Sequence, residues 1–236
     1  MNGGRILSHK QMRAFQPEKL SAPRDFFVPD IIKRRAHKNT ATRDDGVDTL
    51  PLVLEIGAGK GKHALSFAVA NKDKHLIAIE RTRNKFEAFT KIFNQQCPSN
   101  LTPIHADAIA WTVHAIPPNS LTRIYLLYPN PEQHNPNQQW LNMPFFEFLL
   151  SRLQAGGEVV LATNIESYME HAEEQAVSIW QLPCSRQQVP IDSRRTHFEI
   201  KYLARGETCW QLIMEKPEGY VTRFDKWHTS ADSSDI

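Results

Sequence analysis

The sequence predicts an α/β protein: a doubly wound, mostly parallel sheet finishing in an antiparallel hairpin. Three observations carry this prediction. From Leu50 onward, short apolar runs alternate with stretches of helical spacing. A glycine-rich turn joins the first apolar run to the first helical stretch. Two strand-like runs then close the domain with only a short turn between them.

Residues 1–49 hold no long periodic apolar pattern and are punctuated by Pro17, Pro23 and Pro29. They read as a basic, partly flexible arm with at most short helices. Leu52–Ile56 is a buried strand stopped by Gly57, and residues 62–71 have helical spacing. His75–Glu80 is a second strand and Lys85–Gln96 a second helix. Leu101–His105 and Leu121–Tyr128 follow as strands, the latter closed by Pro129. Phe145–Leu153 is helical and ends before Gly156-Gly157, Glu158–Thr163 is a strand, and Tyr168–Trp180 a helix. The runs Thr196–Leu203 and Thr208–Glu215, joined through Ala204–Glu207, make the expected hairpin. The main domain is thus expected over 50–218. A tail follows over 219–236, its last residues, from Thr229, frayed.

Composition narrows the function classes. With 236 residues, 41% hydrophobic and 23% charged, the chain can bury a core without staples. No run approaches the roughly 18 apolar residues of a membrane span, and the N-terminus lacks the apolar stretch of a secretory signal. Cys97, Cys184 and Cys209 are odd in number and outside any CxxC, which argues against disulfides or a zinc site and for a reducing cytoplasm. The ten histidines form no spaced ligand set, so no metal is expected; His63 and His171 read as surface or interface positions, Trp210 and Phe198 as strand packing. The net charge of +2 conceals an asymmetry. Residues 1–43 carry ten Lys/Arg against three Asp/Glu, or +7, and the remainder eighteen against twenty-three, or −5. A basic arm on an acidic body suits a polyanionic partner.

The turn Glu55-Ile56-Gly57-Ala58-Gly59-Lys60-Gly61 lies between the first strand and the first helix. Its glycines let the backbone turn tightly and approach a ligand. A dinucleotide site would show G-x-G-x-x-G, but the third glycine falls one residue early. Two more acids end successive strands: Glu80, nineteen residues after Gly61, and Asp107 in His105-Ala106-Asp107-Ala108. Strand C-termini are the ligand edge of such sheets.

The form E-x-G-x-G-x-G resembles motif I of the class I S-adenosylmethionine (SAM)-dependent methyltransferases, as does the sheet with its antiparallel end. The resemblance implies SAM as cofactor, held by Glu55, Gly57, Gly59 and Gly61, by Glu80 on the ribose, by Asp107 and Ala108 at the adenine, and by Asn130. Four segments narrow it further: LEIGAGKG (54–61), HADA (105–108) with YPNP (128–131), LATNIESYMEHA (161–172) and THFEIKYLARGETCWQLIMEK (196–216). In order, these resemble the tRNA (guanine-N7) methyltransferase family, over roughly residues 50–216. Methyl transfer to guanine N7 in tRNA is the implied activity, with Asn130 at the catalytic position. His134, Asn164, Thr196 and Glu199 are the implied substrate residues.

The departures are specific. Where the family has Phe-Pro-Asp-Pro-Trp, this chain has Tyr128-Pro129-Asn130-Pro131-Glu132. Asn164 stands where the family has the aspartate of Ala-Thr-Asp, and Gln133–Gln139 lacks the usual Lys/Arg. Guanine N7 has a free lone pair, so these changes bear on recognition rather than on proton abstraction. An amide placed against a guanine donor costs about 1–3 kcal/mol. Two other functions fit the same residues: a SAM/RNA-binding module without turnover, and a methyltransferase for a different substrate.

Overall fold

In the computed structural model, residues 12–38, 50–132 and 134–227 are described. The expected frayed tail from Thr229 lies outside them, as do residues 1–11 and 39–49 of the expected basic arm. Seven strands form one sheet in the order β3-β2-β1-β4-β5-β7-β6. They are β1 (Leu52–Ile56), β2 (His75–Glu80), β3 (Leu101–His105), β4 (Leu121–Leu127), β5 (Leu153–Thr163), β6 (Cys184–Gln188) and β7 (Trp210–Glu215). The first five are mutually parallel, and β7 runs antiparallel to both β5 and β6.

Helices cover both faces because the central strands are apolar on both sides. Val53, Ala78, Tyr125, Leu127 and Val160 point to one face. There they meet α2 (Lys62–Ala70) and α3 (Arg83–Gln96) through Leu65, Phe67 and Phe89. Leu52, Leu54, Ile77, Ile124 and Leu161 point to the other. They pack against α4 (Ala108–Ala115), α5 (Phe145–Arg152) and α6 (Glu166–Ser178) through Trp111, Phe146 and Met169. The two-residue alternation of a strand thus divides the core into two layers.

The segments flanking the sheet share the second layer. Ile32, on α1 (Asp30–Lys38), is fully buried in it, and Phe15 packs edge-on to Phe145, Phe148 and Phe224. The Arg223 guanidinium donates to the Met12 carbonyl and pairs with the fully buried carboxylate of Glu147.

The antiparallel pair is present, but not as the expected hairpin. Its partners are β6 and β7, while residues 197–203 form a helix, α7 (His197–Leu203). Phe198, Ile200 and Tyr202 alternate like a strand in sequence, but Thr196 caps the segment: its side chain accepts from the Glu199 backbone N–H at 3.0 Å. The strand that takes its place, Cys-Ser-Arg-Gln-Gln, is a polar sheet edge with no apolar run to announce it. Helix α4 was likewise not expected; Asp107 caps it by accepting from the Ile109 and Ala110 N–H groups.

Candidate functional site

Strand order reverses between β1 and β4, and in such sheets ligands bind in the crevice at that reversal. A cavity of about 300 Å³ opens there. The glycine turn, Lys60, Lys62 and His63 form one wall; Leu127 and the Thr196-His197-Phe198 segment form the other, with Lys85 from α3. Two segments far apart in sequence therefore face a common space.

Glu55 is buried at the end of β1 and lines the cavity. Its Oε2 bonds His63 Nδ1 at 3.0 Å, leaving Oε1 available to a ligand. His63 is correspondingly buried, against the surface or interface position expected of it, and sits edge-on to Tyr125. Gly57, Gly59 and Gly61 all have positive φ, at 82°, 60° and 77°. Glu80 fastens the turn: Oε2 accepts from the Gly59 N–H at 2.8 Å and Oε1 from the Thr82 N–H at 2.6 Å. Each oxygen keeps a further acceptor site. Asp107 uses only Oδ1 in capping α4, whose first residue is Ala108. The donor set suits SAM chemically: an acid that can take an ammonium, open glycine backbone, an acid with two accepting oxygens for a pair of ribose hydroxyls, and at Asp107 a carboxylate oxygen not used by the helix cap.

The second half of the site lies on the loops after β4, β5 and α7. The Tyr128 N–H bonds the Ala162 carbonyl, so the β4 and β5 ends leave the sheet side by side. Asn130 is exposed and its Nδ2 donates to Glu132 Oε1 at 2.8 Å. Asn164 is half-buried and its Nδ2 donates to Glu207 Oε2 at 2.7 Å. His134 lies in an exposed turn. Thr196 lines the cavity, as does Phe198, which is 45% exposed on α7 rather than packed in a strand.

Glu199 is placed differently from a base-facing residue. It is fully buried, and both oxygens are engaged: Oε1 by the Arg195 N–H, Nε and the Ser193 hydroxyl, Oε2 by Arg195 Nε and Nη2 and by the Tyr128 hydroxyl. Burial pushes its carboxyl up, but these hydrogen bonds and the Arg195 charge together hold it below the ordinary 4.5. Burial, with the neighbouring Glu199, raises the Tyr128 phenol well above its usual range. Sequence reasoning did not find His63, Lys85, Glu132 or Glu207 at this edge: His63 and Lys85 lie outside the quoted segments, and Glu132 and Glu207 lie within them at positions to which no role was attached.

Among the described residues no helix is long and apolar enough to cross a membrane, and no group of three His, Cys, Asp or Glu side chains is arranged to hold a metal. Residues 49–212 match a family described as "Putative methyltransferase". The chain is similar to the tRNA (guanine-N(7)-)-methyltransferase of Salmonella typhimurium, 32% identical over 174 residues that cover 70% of this chain and 72% of that protein. The enzyme of the same name from Alcanivorax borkumensis is 34% identical over 173 residues, with the same coverage. Among solved structures, an antibiotic-related methyltransferase superposes with a TM-score of 0.55 at 12% identity, covering 80% of this chain and 96% of that one. Precorrin-6y C5,15-methyltransferase from Geobacter metallireducens superposes with a TM-score of 0.50 at 12% identity, covering 90% and 98%. The structural likenesses establish the methyltransferase-type fold, and the sequence likenesses go further: this chain belongs to the tRNA (guanine-N7) methyltransferase family.

Proposed function

We propose that this chain methylates N7 of a guanine in tRNA, in the cytoplasm, with SAM as methyl donor. The observation that carries the reading is the cavity at the β1–β4 crevice, which the glycine turn with Glu55 shares with the Thr196 segment. Bound there, SAM supplies an electrophilic methyl group on a sulfonium. Glu55 Oε1 accepts from its ammonium, Glu80 from the ribose hydroxyls and Asp107 Oδ2 from the adenine amine beside Ala108, while Gly57, Gly59 and Gly61 let the backbone close in. Guanine N7 presents its own lone pair, so the protein removes no proton before transfer and acts by positioning. Asn130, Asn164 and Thr196 surround the base, and Glu199 acts from beneath by holding the loop that carries Thr196. Phe198 offers an exposed ring on which a nucleobase can stack, and His134 lies near the RNA backbone.

The test is incubation of the protein with methyl-labelled SAM and total tRNA, followed by digestion to nucleosides. Label in N7-methylguanosine is expected; label confined to unreacted SAM overturns the proposal. A second reading, a SAM/RNA-binding module without turnover, is favoured by the asparagines at positions 130 and 164. It is the better account if the wild type binds both ligands but forms product only after Asn130→Asp and Asn164→Asp are combined.

A further inference from the structure

Each asparagine that departs from the family pattern is tied to a glutamate. Asn130 donates to Glu132, two residues along the same loop, and Asn164 donates to Glu207, brought in from the α7–β7 connection. An asparagine alone offers guanine one acceptor and one unwanted donor group. Here the glutamate takes up an amide hydrogen. The pair then presents the Asn Oδ1 and the second carboxylate oxygen, two acceptors with one negative charge, which is the complement an aspartate offers. Glu132 Oε2 has no hydrogen-bond partner among the described residues, and Glu207 Oε1 forms a half-exposed ion pair with Arg205 Nη1 at 3.9 Å, longer than a hydrogen bond, so it can still accept one.

The β4 loop is built to hold this arrangement. Tyr128 and Glu132, on either side of Asn130, both adopt left-handed backbone, with φ of 51° and 46°. Such conformations persist in non-glycine residues where the surroundings impose them, and they cluster at functional sites. Two side chains around Glu132 also have unused polar atoms. The Tyr168 hydroxyl, buried on α6, donates no hydrogen bond among the described residues, and burial, with the Glu132 charge adding to it, pushes it up to about 12. Gln139 anchors the Pro131 carbonyl through Nε2, while its buried Oε1 has no partner.

We propose that Glu132 and Glu207 are specificity-determining residues of this chain: paired with Asn130 and Asn164, they accept from the N1–H and amino group of the target guanine. This rests on the guanine reading above. A carboxylate that has moved by one side chain keeps the donor–acceptor match of the family while changing the residues that make it.

The test compares Glu132→Gln, Glu207→Gln and the double exchange Asn130→Asp with Glu132→Gln, all in the full chain. N7-methylguanosine formation is measured for kcat and KM against tRNA, with SAM affinity by calorimetry and the melting temperature as controls. Each single Gln variant places an amide against a guanine donor, so kcat/KM should fall about tenfold to a hundredfold with SAM affinity and melting unchanged. The double exchange returns an acid to position 130 and should restore most of that loss. Unchanged kcat/KM in both single variants, or a Glu132→Gln loss that Asn130→Asp does not rescue, overturns the assignment while leaving guanine methylation standing. A wild type that forms no N7-methylguanosine overturns the guanine reading and this inference with it.

Discussion

At Gly61 two independent constraints meet. Its φ of 77° is left-handed, and a Cβ built there would lie 2.0 Å from Phe89 Cδ2 in the side chain of a fully buried core residue. Gly57 and Gly59 share the backbone requirement, but a Cβ at either meets nothing within 4 Å. Gly59→Ala should therefore cost about 1–2 kcal/mol, the penalty of the left-handed backbone alone. Gly61→Ala should cost clearly more, since Phe89 must also move. Urea unfolding of the two variants checks the order, and equal losses would mean that the Phe89 side chain relaxes freely. Both constraints were legible only in part. The spacing of the turn announced glycines serving a ligand, but a sequence cannot show that the third one also closes α2 against α3. His63 illustrates the same limit: one histidine on a helix with spacing that suits either face becomes a partner of Glu55 only when β1 and α2 are stacked.

Among the elements, β1, β2 and β3 have the bounds expected from sequence; β1 and β2 are buried throughout and read as near-continuous apolar runs, whereas β3, at the sheet edge, buries only Leu101 and Ile104. The failures share a cause. Strand β6 is a polar edge and α4 has no polar face, so neither shows a period. In α7 a period of two in the apolar residues was overruled by the Thr196 cap and by Glu199, whose carboxylate draws Arg195, Ser193 and Tyr128 around itself. That cluster makes three predictions. Thr196→Ala should cost about 1 kcal/mol through removal of the cap, read as a lower unfolding midpoint in urea. Glu199→Ala should cost about 3–5 kcal/mol, because it leaves the Arg195 charge without its buried partner. The pH dependence follows from the depressed Glu199 carboxyl. Its stabilisation is fully present above the ordinary 4.5 and is lost as pH falls through the lower value in the fold. The melting temperature of the wild type should therefore drop on acidification below that value, and Glu199→Gln should flatten the drop. Parallel acid profiles for the two proteins would remove Glu199 from the account.

Over the whole molecule, the charge asymmetry of the sequence and the packing of the flanking segments place two demands on the N-terminal region. Ile32 is part of the core and Phe15 packs against it, whereas Lys33 and Arg34 stand exposed on α1. Lys33 pairs with Asp30 at 3.5 Å in open solvent, an interaction worth little against a phosphate. Composition showed the charge but not the apolar anchors, because Met12, Phe15 and Phe26 are spaced by tertiary packing rather than by any helical or strand period. The two roles separate by mutation. Phe15→Ala removes a ring that touches Phe145, Phe148 and Phe224 and should cost roughly 3 kcal/mol of stability. It leaves the number of cations unchanged, so the dependence of tRNA affinity on salt should keep its slope. Lys33→Gln with Arg34→Gln should do the reverse. Melting should stay near the wild type, while the slope of log affinity against log salt falls by about two, one for each phosphate no longer neutralised. Fluorescence anisotropy with labelled tRNA across a salt series measures that slope. An unchanged slope in the double Gln variant would confine the basic arm to packing and assign RNA binding to the cations around the cavity, Lys60, Lys62 and Lys85.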